Sequence, residues 1–436
     1  MISKTKLIVK LFAVFVVIGV IMYFLYPNLF DRQNIQTEKF KKIIEFQKLD
    51  IQRAITNQEY YEYEHGLNSP TFNPKDGRLL YAAGDLFALP KIYSLDVNTQ
   101  QRQELSNSFG FISQVIWSPD YNYAIIQMNN LKYELGKEKS DFLINDAPDG
   151  ASTFWLYDKN KDKIMYLDWK IQSVSWSPQG DRIAYIYQKD KKHYALYTSN
   201  PDGLEAKKII DLKGEGTEYF KDITVANPED NYIYYWDGGL VWSPLGNNIV
   251  YWGKSSPGLV LVSLDGNEKI LKQTESVNGV RWSPNGTIIL YSAQQTKDAK
   301  VSLVLMDAGN GFKEQIIDDE SEFNMPRCVW SKKDDTVVYC LSLAELGNKF
   351  YKINLDKKEI AGLIDLDEYE SYGLFKKDSL FLTWVKDKND KEFLLQEKKR
   401  KITDVFLDPK EEKLYFNFFD VLYAIDLNKK AQNKVK

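Results

Sequence analysis

The chain has 436 residues, of which 14% are aromatic and 27% charged, and its formal net charge is −4. This balance argues against a nucleic-acid partner, because proteins that bind nucleic acids present a basic face to the phosphates. The 28 Tyr and 10 Trp residues favour strands, and the length allows one large β architecture as well as two or three ordinary domains.

The first predicted element is a membrane-spanning helix over residues 7–26, LIVKLFAVFVVIGVIMYFLY. At about 1.5 Å per residue it can cross a hydrocarbon layer of about 30 Å. A cleaved signal peptide is the alternative, but the bulky residues 23–26 offer no small-residue cleavage site. The positive-inside rule makes residues 1–6 a cytoplasmic tail and places the remainder in the periplasm or the exterior, because lysines gather at the start of the span: Lys4, Lys6 and Lys10.

Residues 27–58 are predicted to form a stalk or linker helix. Apolar residues recur there at near-helical spacing, with charged residues between them: Ile35, Phe40, Ile44, Ile51 and Ile55. A homodimeric coiled coil is less favoured because this apolar seam is irregular. The sequence leaves the oligomeric state open.

From residue 59 to the end, the chain repeats an aromatic-Ser-Pro-x-Gly turn followed by an apolar run. Six copies are well formed: FNPKDGRLLY from Phe72, WSPDYNYAII from Trp117, WSPQGDRIAY from Trp176, WSPLGNNIVY from Trp242, WSPNGTIILY from Trp282 and WSKKDDTVVY from Trp330. Two degraded copies begin at Leu374 and Phe406. In such a turn Pro fixes φ near −65° and Gly accepts a positive φ.

Four antiparallel strands per copy, arranged around a ring, predict an all-β fold, a β-propeller over residues 59–436. Eight copies predict eight blades. A seven-bladed ring, in which the copies at Leu374 and Phe406 merge, is the alternative, and an ordinary β-sandwich would make all these turns accidental. We expect residues 60–64 to pair with the last blade and so to join the two chain ends.

These copies resemble the TolB-type (WD40-like) propeller repeat, whose core is an aromatic-Ser-Pro-Asp-Gly turn followed by an apolar strand. The resemblance covers roughly Pro70 to the C-terminus. It implies the propeller fold but leaves the function open, since such repeats occur in envelope scaffolds and in propellers attached to peptidases. TolB itself has six blades and a preceding α/β domain, so its particular partners do not transfer to this sequence.

The two cysteines, Cys328 and Cys340, flank the sixth turn. If the two strands pair about Asp334, Val329 faces Tyr339 and Cys328 faces Cys340. The thiols could then form a cross-strand disulfide in an oxidising compartment. Two free thiols that fill small holes in the core are the alternative.

Candidate catalytic and metal-binding residues are scarce. The two histidines, His65 and His193, are predicted to be structural or solvated, and the sequence contains no G-x-S-x-G elbow and no Cys/His metal cluster. We therefore predict no catalytic residue, no metal site and no cofactor. Carboxylates that converge in the channel of the ring would not be recognisable from the sequence.

Two long insertions, Asn129–Ala151 and Asp211–Gly239, are predicted to leave the ring on the same face, because each follows an even number of strands in its blade. Long loops on a rigid scaffold are commonly functional. The second insertion carries six aromatic residues of the kind that anchor interfaces: Tyr219, Phe220, Tyr232, Tyr234, Tyr235 and Trp236. These are the candidate protein-binding residues; the alternative is that they cover a neighbouring blade.

The leading function hypothesis is a non-catalytic scaffold, anchored in the cytoplasmic membrane by a single helix, that binds a protein or peptide of the cell envelope. The first alternative is a carboxylate-based hydrolase or lyase with its site in the propeller channel. The second is a pseudo-enzyme or regulatory propeller related to dipeptidyl-peptidase-type proteins but without their hydrolase domain.

Overall fold

The repeated turns connect strands that assemble into four-stranded antiparallel sheets, as a computed structural model of the chain shows. The structure describes residues 40–43, 49–54, 64–85, 90–107, 109–129, 144, 147, 151–189, 193–212, 238–253, 258–274, 276–294, 301–318, 323–342, 349–366, 384–386, 392–394, 402–418 and 421–430. The chain divides into two units, Met1–Lys39 and Phe40–Lys436, and every described residue belongs to the second. All elements in this described part are strands.

The strands follow one another in blade order, from the innermost strand of each blade to the outermost. Two short strands come first, β1 (Lys41–Ile43) and β2 (Leu49–Arg53). Blade 1 has β3 (Glu64–Phe72), β4 (Leu79–Asp85), β5 (Lys91–Leu95) and β6 (Arg102–Glu104), and blade 2 has β7 (Phe111–Trp117), β8 (Tyr123–Asn129), β9 (Ser152–Asp158) and β10 (Lys163–Asp168). Blade 3 has β11 (Ile171–Trp176), β12 (Ile183–Gln188), β13 (Tyr194–Ser199) and β14 (Lys207–Asp211), and blade 4 has β15 (Gly238–Trp242), β16 (Asn248–Gly253), β17 (Leu259–Ser263) and β18 (Glu268–Lys272).

The second half of the ring continues the same order. Blade 5 has β19 (Ser276–Trp282), β20 (Ile288–Gln294), β21 (Val301–Asp307) and β22 (Lys313–Asp318), and blade 6 has β23 (Phe323–Trp330), β24 (Val337–Ser342), β25 (Lys349–Asn354) and β26 (Glu359–Asp365). A separate two-stranded sheet follows, with β27 (Trp384–Lys386) and β28 (Glu392–Leu394). Blade 7 has β29 (Ile402–Leu407), β30 (Lys413–Phe418), β31 (Val421–Lys430) and, as its fourth strand, β2.

The described residues form seven four-stranded blades, so the prediction of eight blades is wrong. Seven of the eight sequence copies end the innermost strand of a blade. The eighth copy, from Leu374, lies outside the described residues, and between β26 and β29 the described part of the chain holds only the small β27–β28 sheet. That copy lacks the Ser-Pro pair of the intact turns. Blades 6 and 7 pack directly against each other, with Phe350 against Phe416, so the described ring agrees with the seven-bladed alternative.

The ring is closed by β2, which pairs antiparallel with β31 from the other end of the chain, with Ile51 opposite Ile425. We expected residues 60–64 to pair with the last blade; residues 60–63 lie outside the described residues, and Glu64 instead begins β3 and pairs with Asp85 in blade 1. The expected stalk helix over residues 27–58 is also wrong where the structure describes it, since Lys41–Ile43 and Leu49–Arg53 are strands. The apolar spacing of this segment suits edge pairing as well as it suits a helix.

The described part of the chain contains no helix long and apolar enough to span a membrane. The predicted span, residues 7–26, lies outside the described residues. The cytoplasmic tail and the membrane anchor therefore stay predictions.

Residues 40–43 and 49–54, here called the strap, contact four blades. Strand β1 adds a fifth, parallel strand to blade 6. The Lys42 ammonium lies 2.9 Å from the carboxylate of Asp318 at the end of blade 5, and the Asp318 side chain is only 3% exposed. The Ala54 N–H donates to Leu422 O in blade 7, and Gln100 of blade 1 donates its amide to Ala54 O. The strap thus joins blades 5, 6, 7 and 1.

The hydrophobic core lies between blades and repeats with the sequence. Nine positions after the turn aromatic, six of the seven blades have Tyr, and Ile126 takes this position in blade 2. Two of these tyrosines reach a glutamate on the outer strand of their own blade: Tyr251 donates to Glu268 and Tyr291 to Glu314, each over 2.6 Å. Lys272 of blade 4 also donates to Glu314 over 2.6 Å, so this carboxylate links blades 4 and 5.

The turn glycines pack one blade against the preceding one. Gly286 has a φ of +72°, and a Cβ there would lie 2.9 Å from Cγ of Leu245 in the turn of blade 4. Gly180 meets Pro119 of blade 2 in the same way, at 3.2 Å. Glycine is required at Gly286 for its backbone conformation and for this close approach.

In blade 6 the strand register is the one expected from the sequence, with Val329 opposite Tyr339 and Cys328 opposite Cys340. The structure joins the two sulfur atoms in a disulfide between β23 and β24. Both cysteines are buried, and they pack in the cluster between blades 5 and 6.

Candidate functional site

Strand direction sorts the connections of the ring onto two faces. The Ser-Pro-x-Gly turns and the turns between third and fourth strands share one face, here called the turn face. The connections between second and third strands, and those between blades, share the other, here called the insertion face. The strands that flank the three longest connections end or begin on the insertion face; these connections are residues 130–151, 212–237 and 366–401. The first two correspond to the predicted insertions, whose end residues belong to strands: Asn129 to β8, Asp211 to β14, and Gly238 and Gly239 to β15.

The candidate binding residues predicted from the sequence lie outside the described residues, and their role stays a prediction: Tyr219, Phe220, Tyr232, Tyr234, Tyr235 and Trp236. They belong to the connection that joins β14 of blade 3 to β15 of blade 4. The ends of these strands lie on the insertion face, as the parity argument requires.

A group of partly exposed side chains lies at the insertion-face end of blades 2 and 3, where the interblade connection is only two residues long. We call it the aromatic patch, and it consists of Tyr166, Asp168, Trp169, Lys170 and Tyr187. It lies in the same two blades as the ends of the first insertion, at Asn129 and Ser152, and the start of the second, after Asp211. The patch is the described part of the insertion face that most resembles a binding surface, because Trp and Tyr are the side chains most enriched at binding hot spots.

Hydrogen bonds hold the aromatic patch in one arrangement. The Tyr187 hydroxyl donates to one oxygen of Asp168 over 3.1 Å, and the Lys170 N–H donates to the other over 2.9 Å. The backbone N–H of Trp169 donates to the Tyr166 hydroxyl over 2.7 Å. Burial, together with the Asp168 charge, raises the pKa of Tyr187 to about 12, so its hydroxyl stays a donor at neutral pH. These bonds fix the backbone that carries the Trp169 ring before any ligand arrives.

Aromatic rings packed behind the patch support it. Tyr185 and Tyr197 stack with ring centroids 5.8 Å apart, and Tyr187 meets Tyr197 edge-on at the same distance. On the side of blade 2, Tyr166 packs against buried Trp155 at 5.0 Å. The Lys170 ammonium lies 5.8 Å from the centre of the Trp169 ring, within the range of a cation–π contact.

A second feature lies at the centre of the ring, in the innermost strand of blade 5. Arg281 is exposed although its neighbours Val280 and Trp282 are buried in the core between blades 4 and 5. Because β19 is the innermost strand of blade 5 and blades flank it on both sides, we infer that Arg281 is exposed toward the central channel. The protein that surrounds the guanidinium lowers its pKa by desolvation, although arginine stays charged at neutral pH.

The described residues contain no group of three or more His, Cys, Asp and Glu side chains that could hold a metal ion. His193 is exposed at the start of β13, and His65 belongs to β3. The two histidines thus lie in different blades. The structure does not bring them together.

Sequence reasoning missed the aromatic patch and Arg281. The stretch YLDWK (residues 166–170) places aromatic and charged residues together at the shortest interblade connection. This local pattern could have indicated the aromatic patch. Tyr187 joins the patch only through the packing of blade 3 on blade 2. Arg281 replaces residues that are uncharged in the other six copies, and an alignment of the copies could have revealed it.

No protein-family model matches the sequence, and no curated protein matches it at a significant level. Among solved structures, an oligogalacturonate lyase in complex with manganese aligns with a TM-score of 0.56 at 12% identity, over 87% of this chain and 93% of its own. The oligogalacturonate lyase of Vibrio parahaemolyticus aligns with a TM-score of 0.55 at 13% identity, over 88% and 95%. TolB from Acinetobacter baumannii aligns with a TM-score of 0.40 at 13% identity, over 69% and 67%. At these identities the chain shares the propeller fold with the two lyases.

Proposed function

We propose that this chain is a non-catalytic binding scaffold whose ring takes a protein or peptide on the insertion face. In this proposal residues 7–26 anchor it in the cytoplasmic membrane and the ring lies outside the cytoplasm, in the cell envelope. The observation that supports the binding role is the aromatic patch, in which partly exposed Trp169 lies beside the hydrogen bond that joins Tyr187 of blade 3 to Asp168 of blade 2.

The chemistry of the patch suits a peptide surface. Trp169 and Tyr166 offer rigid rings that lose little conformational entropy on binding, while Lys170 and Asp168 can pair with charges at the rim. Asp168 uses one acceptor site on each oxygen within the patch and keeps others for a ligand. The insertions that leave the same face would extend the surface.

The test is the recovery of partners from membranes after crosslinking. Trp169→Ala should reduce recovery about tenfold or more, because truncation of a central hot-spot residue costs about 2 kcal/mol or more. Leu204→Ala is the matched control, since Leu204 is 64% exposed in blade 3 but lies on the turn face. Equal recovery with both variants, each folded by circular dichroism, would reject the patch as the binding surface.

The enzymatic alternative has a direct assay, suggested by the activity named for the two lyases of similar fold. The innermost strands of the described blades contain only two acidic residues, Glu64 and Asp404, and these belong to blades 1 and 7. We therefore expect no breakdown when the purified chain is incubated with oligogalacturonate, with and without manganese. Formation of unsaturated uronate product would overturn the scaffold proposal in favour of a lyase.

A further inference from the structure

The innermost strands carry very little charge. Those of the seven described blades contain four charged residues in all: Glu64, Arg281, Arg327 and Asp404. Arg327 is buried, at 8% exposure, and both Arg327 and Asp404 interact with other residues. Arg281 differs from them, since it is exposed to the channel and no hydrogen bond or ion pair to it occurs among the described residues.

The position of Arg281 in the repeat makes its charge unusual. It directly precedes the turn aromatic, and the other six blades have uncharged residues there: Thr71, Ile116, Ser175, Val241, Val329 and Val405. Val241 and Val329 pack in the hydrophobic clusters between blades. A side chain such as valine would therefore satisfy the packing of this position, and the fold does not require an arginine.

An unpaired guanidinium inside a ring of protein lacks part of the hydration that it would have at an open surface. Charged groups in such a place are normally paired with an opposite charge. Here the described part of the chain supplies no such charge, and the channel leaves the guanidinium accessible to a solute.

We propose that Arg281 binds the oxyanion group, a carboxylate or a phosphate, of a small ligand that enters the central channel. The planar guanidinium offers two parallel N–H donors that match both oxyanions. At the same repeat position the neighbouring blades 4 and 6 carry the apolar residues Val241 and Val329, so no polar side chain at this position competes with the ligand for the guanidinium. A small ligand with a single acidic group, such as a sugar acid or a sugar phosphate, would supply the one opposite charge that the guanidinium lacks among the described residues. The site is independent of the insertion face.

The experiment measures thermal unfolding of the full chain in detergent at constant ionic strength. Inorganic phosphate and glucuronate are the two anionic probes, which separate the phosphate source from the carboxylate source, and glucose and sodium chloride are the uncharged and salt controls. We expect at least one anion to raise the melting temperature in a saturable way, as a ligand of the folded state does. No anion effect beyond that of matched sodium chloride would overturn the proposal.

Variants then assign the effect to Arg281. Arg281→Gln should weaken the apparent affinity for the anion at least tenfold, and Arg281→Lys should weaken it less, because it keeps the charge without the two parallel donors. Arg182→Gln is the control, since it removes the same charge from the turn that follows β11 in blade 3, in a different blade from Arg281. An unchanged anion response in Arg281→Gln, with native circular dichroism, or an equal loss in Arg182→Gln would also overturn the proposal.

Discussion

At the scale of single residues, the turn glycines combine two demands that can be measured apart. Gly77 and Gly286 have nearly the same backbone conformation, with φ of +69° and +72°. A Cβ at Gly77 would meet nothing within 4 Å, whereas a Cβ at Gly286 would press on Leu245 of the preceding blade. Gly77→Ala should therefore cost about 1–2 kcal/mol through φ alone, and Gly286→Ala should cost more. If urea unfolding shows the same loss of stability for Gly77→Ala and Gly286→Ala, the contact between neighbouring turns does not contribute to stability.

The tyrosine of the repeat provides a second test at this scale. Tyr291→Phe removes the hydroxyl that donates to Glu314 and should destabilise the fold by about 1–3 kcal/mol, since the acceptor is charged and partly buried. Tyr415→Phe is the matched control at the same repeat position, where no hydrogen bond of the hydroxyl occurs among the described residues. It should change stability by less than about 0.5 kcal/mol.

The same pair predicts a pH dependence. Burial, helped by the Glu314 charge, raises the pKa of Tyr291 well above its ordinary value. Above pH 10 the unfolded chain loses this proton while the folded chain keeps it, so the free energy of unfolding falls as pH rises. Tyr291→Phe should make this fall shallower at alkaline pH. A slope identical to that of the wild type would contradict the role assigned to Tyr291.

At the scale of elements, the strap depends on one partly buried ion pair. Lys42→Met would leave the Asp318 carboxylate buried without its cation and should cost about 2–4 kcal/mol, whereas Asp318→Asn removes the charge itself and should cost less. In the Asp318→Asn background, Lys42→Met should then have little effect. Lys91→Met is the control, because its partner Glu104 is 49% exposed and such pairs contribute about 0–1 kcal/mol. The free energy of unfolding is measured in urea for the four variants and the wild type. If the losses from Lys42→Met and Asp318→Asn simply add in the double variant, the two side chains are not coupled.

The elements also show which parts of the fold could be predicted from the sequence. Each blade was predictable because its turn and its apolar strands are local patterns that repeat. The closing strand was not, since Ile51 and its neighbours have a spacing that fits a helix, and only the distant partner Ile425 makes them a strand. The number of blades was uncertain for a related reason: the copy at Leu374 resembles the repeat but lacks the turn residues that define it.

The candidate site likewise has features that local sequence patterns predict and features that depend on contacts between blades. Strand parity was enough to predict that the long insertions share a face. The aromatic patch was not predictable, because Asp168 and Tyr187 lie in different blades and meet only when blade 3 packs on blade 2. The charge of Arg281 stands out in an alignment of the copies, but its place beside the channel follows only once β19 is known to be the innermost strand of blade 5.

At the scale of the whole molecule, the strap follows the predicted membrane anchor in sequence and closes the ring. In the proposed topology the anchor and the ring are connected through β1 and β2, and a single orientation in the membrane fixes the compartment of every blade. The three lysines at or before residue 10 motivate a cytoplasmic N-terminus and a ring outside the cytoplasm.

This orientation can be tested by cysteine labelling, because both native cysteines lie in the buried disulfide and should not react. Leu204→Cys places a thiol at a site that is 64% exposed on the turn face, and Ser3→Cys places one in the predicted cytoplasmic tail. A membrane-impermeant maleimide should label Leu204→Cys in intact spheroplasts and Ser3→Cys only after permeabilisation. The opposite pattern would place the ring in the cytoplasm. In that compartment thiols are kept reduced, so Cys328 and Cys340 would not be expected to remain joined.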